Sequence, residues 1–183
     1  MKLKQEMESG EHTNAFLSKG DIRTTLAGTL SGVTFSVKDN IDVAGLVSSY
    51  GSPDWPSEHP AALHNAVCVD LALAAGARYV GKVVADEFTY SLEGQNQFFG
   101  TPLNPKAPDR IPGGSSSGSA ASVATGSCDF SLGTDSGGSI RVPASFCGVW
   151  EYGHPFTECP KQEFSPSCRA SVQSGSSPAG LMC

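Results

Sequence analysis

The chain has 183 residues, 39% hydrophobic and 16% charged, a balance that reads as globular rather than wholly disordered and suits one domain with its own core. Its net charge of −6, with no basic cluster, argues against a nucleic-acid partner. No apolar run reaches the roughly 18 residues of a membrane span, and the N-terminal stretch MKLKQEMESGEHTN lacks the apolar segment of a signal peptide. The expectation is therefore a cytoplasmic protein, the nucleus also being open, without a membrane partner.

In chain order, residues 1–30 read as a polar leader with at most a short helix. Val33–Val37 alternates and is β-branched, which predicts a strand ending in Lys38-Asp39-Asn40. Residues 45–60 carry Gly51, Pro53 and Pro56 and read as loop. Leu63, Val67, Leu71 and Ala74 fall at spacings of 4, 4 and 3, one face of a helix that Gly76 closes. Tyr79–Val84 reads as a buried strand, and Asp86–Leu92 as a short helix. Loop follows over 94–112, then a Gly/Ser turn at Gly113–Gly118 that continues as a helix through Ala120–Ala124. Asp129–Leu132 can form a short strand before a second glycine turn, Gly133–Gly138. Alternating strands and helices predict an α/β layer fold over residues 31–148.

From Val149 onward the composition breaks. Ser, Pro and Cys dominate, and only Val149, Val172 and Leu181 remain of the Ile, Leu and Val residues. Residues 149–183 thus read as an unstructured tail.

The six cysteines (Cys68, Cys128, Cys147, Cys159, Cys168, Cys183) form no CxxC pair, so reduced thiols are the default. Cys128 and Cys147 read as small buried residues. The four histidines show no ligand spacing, and neither a metal nor a cofactor is expected.

The chemistry lies in two turns, Gly113-Gly114-Ser115-Ser116-Ser117-Gly118-Ser119 and Gly133-Thr134-Asp135-Ser136-Gly137-Gly138-Ser139-Ile140-Arg141. Either alone suits a plain linker or an anion cradle at a helix start. Neither has the GxxxxGK[ST] pattern, and the GxSxG elbow of α/β-hydrolases is absent. Lys38 alone would read as a surface lysine at a strand end.

Taken together, GVTFSVKDNIDVAG, ADEFTYSLEGQNQFFGTPLNP, RIPGGSSSGSAASVA and FSLGTDSGGSIRVPASFCG resemble the amidase signature family over roughly residues 30–148. The resemblance implies a mixed twisted sheet covered by helices, its C-terminal half incomplete here. It implies Ser139 as nucleophile, Ser115, after a cis peptide bond, as relay, and Lys38 as base. It also implies an oxyanion hole from the backbone N–H groups of Ser136, Gly137, Gly138 and Ser139. Glycines suit that role because the backbone must approach the substrate closely. A lysine serves as base only when neutral, which burial favours. Asp135 and Arg141 are expected to pair across the turn and hold it rigid.

Within the family, SYGSPDW, RIPGGSSSGSA and RVPASFCG point to plant indole-3-acetamide hydrolases, which release indole-3-acetic acid and ammonia. A small amide is then the expected partner. The family continues past this region with a block like GVxPxxQSF, where the chain reads VWEYGHPFTECPKQEFSPSC. Reading each codon's third base with the next codon's first two, residues from Pro160 to Ser171 can spell Gln-Thr and then Gly-Val-Leu-Pro-Ile-Leu-Gln-Ser-Phe. The tail is therefore expected to be translated out of frame. Two readings follow: an amidohydrolase working through a Ser–Ser–Lys triad, or an inactive amidase fragment that is poorly soluble.

Overall fold

A computed structural model describes residues 13–25, 27–152 and 172–173. Its centre is a mixed sheet of β1 (Phe16–Ile22), β3 (Arg78–Val83), β2 (Thr34–Lys38) and β4 (Phe130–Leu132), in that spatial order. Strand β3 lies parallel to β2 and antiparallel to β1, and β2 lies parallel to β4. Beyond β4 the order continues with two short strands, β6 (Val172–Gln173) and then β5 (Trp150–Glu151).

Three helices flank the sheet: α1 (Val67–Ala74), α2 (Ser117–Ala124) and α3 (Arg141–Cys147). The alternation of β2 decides which side each one covers. Phe35 and Val37 point into an apolar cluster with Val69 and Ala72 of α1, Tyr79 of β3 and Leu132 of β4. Within it Phe35 stacks on Phe130 at 5.3 Å and meets Tyr79 edge-on at 5.9 Å. Ser36 and Lys38 face the opposite way, toward α2. There Ser36 Oγ bonds Ser131 Oγ at 2.7 Å and Ser122 Oγ at 3.0 Å, so the serine-rich face of α2 is satisfied rather than stranded.

Glycines end all three helices where the chain must turn left-handed, Gly148 closing α3 at φ +64°. Gly76 has φ +93°, and the amides of Ala77 and Gly76 reach back to the carbonyls of Ala72 and Leu73. Gly126 repeats the pattern after α2 with φ +72°, Ser127 reaching Ser122 and Gly126 reaching Val123. Gly118 is required for another reason. A Cβ there would lie 2.5 Å from Val84 N and 2.7 Å from Ala15 O, so only glycine lets α2 sit against β3. Gly118→Ala should cost about 1–3 kcal/mol by overpacking, read as a lowered unfolding midpoint; an unchanged midpoint would contradict that contact.

The structure corrects four expectations. The tail read as unstructured from residue 149 supplies β5 and β6, which extend the sheet beyond β4 by backbone pairing. The supposed leader contains β1, whose middle residues are exposed and whose place is set by backbone pairing with β3. The proposed helix over 86–92 is only a 3-10 turn at Glu87–Thr89, with Phe88 at φ +48°. The helical face read from spacing points outward: Leu63 is 87% exposed and Leu71 51%, while Cys68, Val69 and Ala72 are buried. Helix α1 (VCVDLALA) is apolar nearly all round, so its period does not single out the face that meets the sheet. The stretch that spells the alternative reading frame, 160–171, lies outside the described residues.

Candidate active site

Strand β2 delivers Lys38 to the end of the sheet, where it is fully buried. Its Nζ donates to Ser115 Oγ at 2.8 Å, to Thr134 Oγ1 at 2.8 Å and to Thr134 O at 3.4 Å. Ser115 follows a cis peptide bond from Gly114 and opens the turn into α2. The second turn carries Thr134 through Ser139 and leads into α3. The two turns are joined directly, Ser116 N–H donating to Ser139 O at 3.0 Å and Ser116 Oγ to Thr134 O at 3.2 Å. Lys38, Ser115 and the Ser139 turn, far apart in sequence, thus meet at one end of the parallel strands. Ser139 retains 8% exposure, whereas Ser115 and Lys38 have none.

Asp135 holds the second turn. Its carboxylate accepts from Gly138 N at 2.7 Å, Ile140 N at 3.1 Å and Arg141 N at 3.3 Å. It also takes both arms of the Arg141 guanidinium, each at 3.0 Å. Burial alone would raise the Asp135 pKa. The guanidinium and the three amides outweigh burial and hold it well below the usual carboxylate range. This geometry corrects one expectation: the Gly138 N–H is already bonded to Asp135 and is not a spare oxyanion donor.

Three residues passed over in the sequence belong to the site or its support. Thr134, first after Gly133, binds Lys38 and also accepts from Asn40 Nδ2 at 3.1 Å. Asp86, fully buried, approaches Gly114 so closely that a Cβ there would collide with its carboxylate. Lys82 is a second buried lysine, on the other face of the sheet, donating to Ser48 Oγ at 2.6 Å and Asp39 O at 3.1 Å. The signal for Thr134 and Asp86 was their place inside the recognised blocks; Lys82 had none beyond a strand that reads as buried. Among the described residues no group of three or more His, Cys, Asp or Glu is placed to hold a metal ion.

Burial pulls the Lys82 ammonium down to about 8, against the opposing pull of Asp39 and Asp42. Below pH 8 the folded and unfolded chains both carry this proton. Between about 8 and 10.5 the folded chain releases it while the unfolded chain keeps it, so stability should rise with pH across that window. Denaturant unfolding at pH 7.5 and 10 should show a rise in the parent that Lys82→Met lacks; an equal rise in both would remove Lys82 as its source.

The sequence model of the family described as Amidase matches residues 11–153. The chain belongs to the amidase family. Its relatives include Amidase 1 of Oryza sativa subsp. japonica, 54% identical over 121 residues, covering 66% of this chain and 28% of that protein. Amidase 1 of Arabidopsis thaliana is 47% identical over 150 residues, covering 80% and 35%. The chain thus spans about a third of the length of these amidases. Among solved structures, a glutamyl-tRNA(Gln) amidotransferase polypeptide of Thermotoga maritima superposes with a TM-score of 0.68 at 34% identity, over 81% of this chain and 33% of that one.

One expectation is overturned here. Chloroplastic outer envelope protein 64 of Arabidopsis thaliana carries the same amidase region, 48% identical over 120 residues, covering 66% of this chain and 20% of that protein. Close relatives therefore include proteins named for an organelle envelope, and the cytoplasmic or nuclear reading does not stand. No helix among the described residues is long and apolar enough to cross a membrane. A missing apolar leader in the catalytic region is no guide to compartment.

Proposed function

We propose that this chain carries the catalytic machinery of an amidohydrolase that cleaves a small carboxamide through an acyl-enzyme on Ser139. The observation that carries the reading is the 2.8 Å hydrogen bond between the buried Lys38 Nζ and Ser115 Oγ, beside the turn that holds Ser139. A serine hydroxyl needs a base to attack an amide, and a neutral lysine reached through a second hydroxyl supplies one.

Ser139 Oγ bonds to the carbonyl carbon as its proton passes to Ser115 Oγ, whose own proton passes to Lys38 Nζ. The amide N–H groups of Ser136, Gly137 and Ser139 are the proposed donors to the oxyanion. The C–N bond then breaks, and the leaving nitrogen takes the proton back along the same path and departs as ammonia. Water repeats the sequence on the ester, releasing the carboxylic acid and restoring Ser139.

For the substrate we infer an arylacetamide, indole-3-acetamide being the first to test. The segment SYGSPDW supports this, because Tyr50 packs on Trp55 at 4.8 Å and Trp55 on Phe88 at 6.1 Å, gathering aromatic surface two residues from Asp86. The chain is incubated with indole-3-acetamide and hydroxylamine. Capture of the acyl group as indole-3-acetohydroxamic acid is expected. Hydrolysis without any hydroxamate would remove the covalent step, and turnover of aliphatic amides alone would remove the aryl preference.

A further inference from the structure

When Lys38 takes up the proton it becomes an ammonium inside a fully buried site. Three acceptors of its Nζ, Ser115 Oγ and the hydroxyl and carbonyl of Thr134, are uncharged. Neutral dipoles offset only part of the cost of burying a cation, and a nearby carboxylate lowers that cost further.

Asp86 is placed to do this. It leaves β3 at the end where Lys38 leaves β2, the two strands being parallel with Lys38 in register with Val83. Its backbone N–H donates to Ser115 O at 3.2 Å, and its Oδ2 accepts from Gly94 N at 3.0 Å. Its Oδ1 is buried and has no hydrogen-bond partner, an expensive state for a residue that only closes a turn. The carboxyl packs against Gly114, the residue before Ser115.

We propose that Asp86 is the counter-charge of the Lys38–Ser115 pair, a positioning residue that stabilises the lysine ammonium formed during catalysis and braces the backbone of Ser115. It would do for a lysine what a buried aspartate does for the histidine of a serine–histidine–aspartate triad. Burial raises the Asp86 pKa, while the Gly94 amide, the Ser91 hydroxyl and the charge of Lys38 pull it down and Glu93 pushes it up. The other carboxylates nearby are engaged elsewhere. Asp39 accepts from Ser49 and from Gly51 N at 3.1 Å and lies 3.9 Å from Lys82, and Asp135 is paired with Arg141.

The inference rests on the roles proposed for Lys38 and Ser115, and the test separates the two. A fluorophosphonate probe forms an Oγ–P bond on the activated serine and expels fluoride, so its rate follows the neutral fraction of Lys38. In the parent chain the rate should rise along an acid limb. Asp86→Asn removes the charge with little change of shape and should move that limb down by about one pH unit. A residue with a merely structural role would lower the plateau and leave the limb in place. The reciprocal measurement does not need that variant to fold or the chain to react: Lys38→Met should move the Asp86 carboxyl titration, followed by 13C NMR, upward by a similar amount. An unmoved limb in a folded Asp86→Asn, or an unmoved Asp86 titration in Lys38→Met, overturns the proposal. No labelling of the parent at any pH overturns the proposed catalytic function instead and leaves the NMR arm to judge the pairing.

Discussion

Ser139→Ala should abolish fluorophosphonate labelling, and Ser115→Ala or Lys38→Ala should each slow it by about 10³-fold or more, since members of such a unit fail together. The expectation follows from how the site is connected. Lys38 Nζ bonds two buried hydroxyls, those of Ser115 and Thr134, and the proposed proton path runs through Ser115, which is buried completely. Ser139 keeps a small opening to solvent and its carbonyl is pinned by Ser116 N–H, which fixes the turn that aims its hydroxyl. Labelling of Ser139→Ala within tenfold of the parent rate would show that the reactive serine lies elsewhere. Labelling that survives Lys38→Ala but not Ser139→Ala would leave the nucleophile and remove the base.

Asp135→Ala should lower stability by about 3–5 kcal/mol, because it leaves three amides and a guanidinium without their buried acceptor. For a chain of this size that corresponds to a fall in melting temperature on the order of 10 °C. Labelling of Ser139 should fall with it, because Gly138 and Ile140, which flank the proposed nucleophile, are bonded to this carboxylate. Arg141→Ala should cost much less, since the guanidinium is half exposed and the amides keep their acceptor. The pH dependence has a fixed sign. A carboxylate whose folded pKa is depressed stabilises the fold fully above its unfolded value, near 4, and loses that contribution as the pH falls below it. The parent should therefore lose stability on acidification from pH 4 toward 2 more steeply than Asp135→Ala. Equal acid slopes, or a melting shift of only one or two degrees, would show that the turn holds without Asp135.

Much of the site could be read in the amino-acid order because its parts are local. Lys38 and the two serine turns lie in contiguous blocks that resemble the amidase signature, and the resemblance, not any one of them alone, pointed to their roles. The pairing of Asp135 with Arg141 was legible for the same reason: six residues apart across a tight turn, they have few other partners within reach. The glycine at 76 marks a helix end in the sequence and occupies a left-handed position in the fold.

What only the tertiary structure decided depends on contacts between segments distant in the chain. An edge strand such as β1 is defined by backbone bonds to β3, and its exposed polar residues carry no apolar period. The outward face of α1 could not be read, because a helix apolar on most sides leaves the choice to the shape of the sheet beneath it. Gly138 serves Asp135 instead of the substrate oxygen because the carboxylate folds under the turn, a matter of ångströms rather than of residue type. Asp86 and Thr134 join Lys38 only because parallel strands deliver their ends to one side of the sheet. Sequence by itself determined which groups are capable of the chemistry, since that is a property of residue type and local backbone. Which groups share a proton, a charge or an acceptor was left to the packing that brings strand ends together.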